Sequence, residues 1–145
     1  MTIRELTGQD IQLSYAAMFE LRGQRPPLAS PEAFQRWVTQ QAAQGYRLAA
    51  TFEAKAAEAQ AVCGFRVLNF LYSGRQLYID DLSTLPQARA RGHARALLDW
   101  AEAEAGRLDC ESLHLDSGVQ RFGAHRLYLK AGMDITAHHF AKSLR

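Results

Sequence analysis

A chain of 145 residues with 48% hydrophobic side chains has the size and apolar content of one compact domain, residues 1–145. Its 17 basic and 15 acidic residues leave a formal charge of +2, which argues against a broad nucleic-acid-binding or membrane-binding face and confines any anion site to a local cluster. No run approaches the roughly 20 apolar residues of a membrane span, and the start "MTIRELTGQDIQLSY" has no signal-peptide core. Cys63 and Cys110 show no patterned spacing and read as reduced thiols of a cytoplasmic protein.

Along the chain, Ile11, Tyr15, Met18 and Leu21 recur at helical spacing until Gly23, Pro26 and Pro27 end the pattern. Ser30 and Pro31 then form an N-cap and first turn for a second helix through Phe34, Trp37 and Val38, closed by Gly45. From Tyr46 the period becomes two, which predicts a strand through Phe52. The polar "EAKAAEAQ" reads as a connection, and "AVCGFRVLNFLY" and "QLYIDDLST" as two further strands of an antiparallel meander joined by the turn signal "SGR". Leu97, Leu98, Ala101 and Ala105 mark a third helix to about Gly106, "SLHLDS" a short strand, and "RFGAHRLYLKAG" a fourth helix ended by Gly132. The remainder, "MDITAHHFAKSL", reads as a terminal strand. The resulting order, ααβββαβαβ, predicts a mixed α/β (α+β) domain with a central sheet flanked by helices.

The third helix begins unusually. A first turn normally favours acidic residues, yet this one follows Arg89 and Arg91 and opens with Gly92, His93, Ala94 and Arg95. A strand feeding a helix through a glycine turn aims unpaired amides at one point, where a phosphate fits, so the missing negative charge is expected from a ligand. Gly92 removes the blocking side chain, Ala94 is nearly as small, and the three arginines can screen a diphosphate. A solvated basic turn with no ligand is the plain alternative. Neither G-x-x-x-x-G-K-[ST] nor G-x-G-x-x-G occurs, which turns the expectation away from nucleotide triphosphatases and dinucleotide-dependent dehydrogenases. The five histidines show no metal-ligand spacing, so no metal is expected.

The pattern R-x-x-G-x-A at Arg89, Gly92 and Ala94, preceded by "YIDDLST" and followed by "RALLDW", resembles the Q/R-x-x-G-x-G/A signature of the acyl-CoA-dependent N-acetyltransferases of the GNAT superfamily. Further on, "AHRLYLKAGM" looks like that family's late A-x-x-x-Y-x-x-x-G-F segment. The resemblance implies a splayed mixed sheet, with acetyl-CoA as acyl donor and an amine of a small molecule, peptide or protein as acceptor in a ternary complex. It implies that Leu82, Ser83 and Thr84 present backbone groups to the pantetheine arm. The pyrophosphate is implied to lie on the amides from Arg91 through Gly92, His93 and Ala94 to Arg95, with Arg89 closing the turn. Tyr128 matches the tyrosine near the CoA sulfur, a general acid or thiolate-stabilising donor; core packing is the alternative for a helical tyrosine.

For the base, adjacent Asp80 and Asp81 point to opposite faces of an ideal strand, and a bulge would alter that. Asp80, sharing Leu82's parity, is the favoured proton acceptor; a paired or solvated aspartate is the plain alternative. Phe65, Asn69, Tyr72 and the loop "GQRPPLAS" are expected to shape the acceptor cleft. Two departures stand out: Arg121 occupies a position where the family often has asparagine, and Met133 replaces the usual phenylalanine. The few residues after Gly132 suggest either a truncated sheet edge or one completed by a partner subunit, hence a monomer or homodimer. A catalytically inactive CoA-binding sensor or interaction module is the competing function.

Overall fold

A computed structural model describes residues 1–145. Two compact units make up the chain, Met1–Leu115 and Asp116–Arg145. The first holds a five-stranded sheet in the spatial order β1-β2-β3-β4-β5, with β1 Thr2–Leu6, β2 Arg47–Phe52, β3 Ala61–Phe70, β4 Gly74–Thr84 and β5 Ser112–Leu115. The first four strands are antiparallel neighbours, and β5 lies parallel to β4. Between β1 and β2 run α1 (Tyr15–Arg22) and α2 (Pro31–Gln41), and α3 (His93–Arg107) connects β4 to β5. The second unit holds α4, Phe122–Lys130.

The mixed α/β class and the meander of three antiparallel strands are as the sequence predicts. The element order differs at its ends. Residues Thr2–Leu6 form β1 on β2, although "TIREL" is too short and too polar to advertise a strand; only Leu6 is buried, and the ladder with Leu48–Phe52 supplies the rest. Residues 133–145 carry no strand, because alternation needs a partner ladder and α4 is the only regular element of its unit. The predicted first helix begins as a 3-10 turn over Gly8–Ser14 before becoming α1. Helix α2 starts as expected, with the Ser30 hydroxyl accepting from the Ala33 amide at 3.0 Å and Pro31 at the first position.

Each face of the sheet packs on different helices. Leu48, Ala50, Phe52 and Val62 join Met18, Phe34 and Val38 of α1 and α2 in one apolar cluster. By alternation Phe65 points the other way, where its ring meets Trp100 of α3 edge-on at 5.5 Å. At the start of β2, Arg47 binds Glu5 of β1 through two nitrogens at 2.7 Å and Glu104 of α3 at 2.8 Å. Cys63 and Cys110 are free thiols, and burial pushes the Cys63 thiol well up, so it stays protonated.

Candidate active site

Strand β4 carries the features that build the site. Its pairing with β5 spans only Gln76–Ile79, opposite Ser112–Leu115. From Asp81 to Thr84 it is paired through β3 alone, so Leu82, Ser83 and Thr84 lie where the parallel partner has ended. This is the splay expected of the strand before the glycine turn, and it leaves one backbone edge of β4 without a ladder.

The second feature is a bulge. Gly64 of β3 pairs with Asp81 while the next residue, Phe65, pairs with Ile79, so Asp80 is the extra residue on β4. An ideal strand would send Asp80 and Asp81 to opposite faces; with the bulge both line one cleft of about 360 Å³. The parity expected between Asp80 and Leu82 is thereby broken. Leu82, opposite Cys63, faces the α3 side, whereas Asp81 faces the α1–α2 side.

Both carboxylates are tightly held. Asp80 accepts two hydrogen bonds from Arg66, 3.1 Å from Nε and 2.8 Å from Nη2. Asp81 accepts from the Tyr46 hydroxyl at 2.7 Å and from Arg22 Nε at 2.8 Å, and Arg22 Nη2 also reaches the Asp80 carbonyl at 3.2 Å. Burial raises the Asp80 carboxyl above its ordinary range, with the Arg66 hydrogen bonds pulling the other way. Burial together with Asp81 raises the Tyr46 phenol, which therefore remains a donor.

Tyr46 reaches Asp81 because Gly64 lies between them. A Cβ on Gly64 would collide with the Tyr46 hydroxyl and lie 2.6 Å from Cζ. The rest of the cleft is aromatic and apolar, with Phe34, Trp37, Tyr78 and Leu28 on its walls and Arg25 and Pro27 from the loop after α1. Of the residues expected to shape the acceptor cleft, that loop does so. Phe65 is instead a core residue under α3, and Asn69 and Tyr72 lie exposed toward the tip of the β3–β4 hairpin, away from the lining. Arg22, Tyr46, Arg66 and Tyr78 escaped the sequence reading. Arg66 was hidden by the expectation for Phe65, since placing Phe65 in the cleft sends its strand neighbour to the other face.

The glycine turn has the form an anion site needs. Ala90 and Gly92 both adopt left-handed backbone, with φ of 60° and 86°, and a Cβ on Gly92 would point into open space. The first helical bond of α3 runs from the Ala96 amide to the Gly92 carbonyl at 2.9 Å, so the first-turn amides point out of the N-terminal end of the helix. Neither a capping side chain nor an acidic residue occupies that first turn. The basic side chains have acidic partners: Arg89 meets Glu20 at 3.0 Å, Arg91 meets Glu53 at 2.8 Å, and Arg95 meets Asp99 at 2.9 Å. The Arg89 and Arg95 pairs are exposed and worth little to stability, whereas the Glu53 partner of Arg91 is half-buried. His93 turns inward, Nδ1 bonding to Thr51 Oγ1 at 2.9 Å and Nε2 to Glu53 at 3.0 Å, so only its backbone amide is available to an anion. Glu53 thus ties Arg91 to the buried start of α3.

In the second unit, Tyr128 sits half-buried on α4, and its carbonyl accepts from the amides of Ala131 and Met133 at 3.1 and 3.0 Å. Arg121 precedes that helix and is exposed.

A family model described as the acetyltransferase (GNAT) family matches residues 12–133. An uncharacterized N-acetyltransferase of Bacillus subtilis, YhdJ, is 34% identical over 130 residues, covering 89% of this chain and 88% of its own length. Among solved structures, a putative acetyltransferase from Agrobacterium tumefaciens superimposes with a TM-score of 0.82 at 19% identity, covering 99% of both chains. The aminoglycoside N-acetyltransferase AAC(6')-Iy, solved in complex with CoA, does so with a TM-score of 0.82 at 14% identity over 99% of this chain and 94% of its own. These two structural likenesses are likenesses of fold.

Proposed function

The chain belongs to the acetyltransferase (GNAT) family, and from that premise we propose that it transfers the acetyl group of acetyl-CoA to a primary amine of a small molecule, peptide or protein in the cytoplasm. One observation carries this reading. Strand β4 loses its β5 partner after Ile79, and the stretch that follows places two carboxylates in the cleft at Asp80 and Asp81 on the way to an uncapped helix start.

The edge at Leu82, Ser83 and Thr84 suits an amide-bearing pantetheine arm, which can pair with it as an added strand would. The amides of His93, Ala94 and Arg95, backed by the α3 dipole, suit a pyrophosphate, and the open space beside Gly92 lets it approach. Arg89 and Arg91 then exchange their carboxylate partners for phosphate oxygens. Acetyl-CoA, when bound, supplies an activated acyl carbon and a thiolate leaving group.

The residues of this chain supply the proton transfers. An amine arrives as an ammonium ion and must lose a proton before it is a nucleophile. Asp80 takes that proton, directly or through one water: its two bonds to Arg66 leave lone pairs for an ammonium, and its raised pKa makes it a better acceptor near neutrality. Asp81, fixed by Tyr46 and Arg22, orients the same ammonium. Tyr128 provides the proton that the departing sulfur needs, the role its motif implies. No metal is required.

Calorimetric titration with acetyl-CoA tests the cofactor half, with Gly92→Glu as control. Saturable binding that disappears in the folded variant is expected, because Glu adds a negative charge where the pyrophosphate docks and strains a left-handed position. Undiminished binding by Gly92→Glu would misplace the phosphate site. Binding without thiol release on any amine would favour the inactive CoA-binding module.

A further inference from the structure

Three guanidinium groups line the cleft, and two are committed. Arg22 is fixed on Asp81 and the Asp80 carbonyl, and Arg66 grips Asp80. The third, Arg25, lines the same cleft from the exposed loop between α1 and α2, and its side chain makes no hydrogen bond, ion pair or ring contact. With two carboxylates against three cations, the cleft already carries an excess of positive charge. An acceptor that brought only an ammonium would enlarge that excess in a partly desolvated space, and a diamine would enlarge it further. An acceptor bearing an anion of its own restores the balance.

We propose that the amine acceptor also carries an anionic group, a carboxylate or a phosphoryl group, which docks on Arg25 while its ammonium meets Asp80 and Asp81. This deepens the transferase reading and rests on it. A cleft of about 360 Å³ is at the small end of ligand pockets, which suits an acceptor of small-molecule size. Its aromatic walls, Phe34, Trp37 and Tyr78, leave Arg25 as the uncommitted charged group able to select among amines. The planar guanidinium fork matches either anion in a two-bond contact.

The test compares matched amines of two to six carbons, using thiol release from acetyl-CoA. For the four-carbon set these are 4-aminobutyrate, butylamine and 1,4-diaminobutane, with 3-aminopropylphosphonate to separate phosphoryl from carboxylate. At least one anionic series is expected to exceed its neutral counterparts about tenfold in kcat/KM, with the diamines poorest. In Arg25→Ala that ratio falls to near one, the loss appearing in KM, and in Arg25→Glu the order shifts toward the diamines. Arg25 is exposed, so both variants are expected to fold. Neutral amines matching the anionic ones, or an anionic preference that survives in Arg25→Ala, would overturn the proposal and leave acetyl transfer standing. No thiol release with any amine of any series, from protein that binds acetyl-CoA, would overturn the small anionic acceptor, and only the further absence of release with peptide and protein amines would overturn acetyl transfer as well.

Discussion

Replacing Gly64 by alanine should disconnect Tyr46 from Asp81. The added Cβ collides with the tyrosine hydroxyl and approaches Cζ to 2.6 Å, so the ring must move away. That movement breaks a 2.7 Å hydrogen bond to a carboxylate, worth about 1.5–3 kcal/mol. It also disturbs the edge-on contact of Tyr46 with Trp37 at 5.3 Å, worth about 0.5–1.5 kcal/mol. Alanine in a strand recovers about 0.5–1 kcal/mol relative to glycine. The net expectation is a loss of about 2–3 kcal/mol, which at about 3 °C per kcal/mol lowers the melting temperature by about 6–9 °C. Thermal unfolding by circular dichroism measures it, and a double-mutant cycle isolates the cause. In a Tyr46→Leu background the side chain no longer reaches Gly64, so the same Gly64→Ala change should cost almost nothing. An equal loss in both backgrounds, or none in either, would refute the argument that Gly64 exists to let Tyr46 through.

Tyr128→Phe should lower kcat by about 10²-fold, the low end for general acid catalysis, with acetyl-CoA affinity unchanged by calorimetry; an unaltered rate with a verified acceptor removes Tyr128 from the mechanism. Asp80→Asn should remove the proton acceptor and flatten the acidic limb of the kcat/KM profile against pH, whereas a merely structural Asp80 would leave the profile's shape intact. Glu104 ties α3 to Arg107 and Arg47, and the Arg107 hydrogen bonds lead in holding its carboxyl down at about 2. Its folded-state value lies below the unfolded one, so its stabilisation is fully present above about pH 4.5 and is lost as pH falls toward 2. Glu104→Gln should cost about 1–2 kcal/mol at neutral pH in urea unfolding and almost nothing near pH 2.

How far the sequence could be read depended on whether the deciding forces were local. Ser30 and Pro31 fix the start of α2, and the period-two run after Tyr46 fixes β2, because capping and alternation act within a few residues. The glycine turn was legible for the same reason: Gly92 and its arginines sit within one helical turn of each other. Strand β1 was not legible, since its formation depends on a ladder with residues some fifty positions away. The cleft was harder still. Arg22 and Asp81 meet across 59 positions, and Tyr46 and Asp81 across 35. Which face Asp80 takes depends on a single extra residue in β4, which no periodicity announces.

The chain has two tryptophans, and the sheet separates them. Trp37 rests edge-on against Tyr46 in the cleft, while Trp100 rests edge-on against Phe65 beneath α3 on the opposite face. The protein therefore carries its own pair of optical reporters. Emission from Trp37 answers to whatever fills or dries the cleft, and emission from Trp100 answers to the docking of α3. A Trp100→Phe chain would read acceptor occupancy in real time, and a Trp37→Phe chain would read the seating of the helix whose first turn meets the cofactor, each undisturbed by the other's signal.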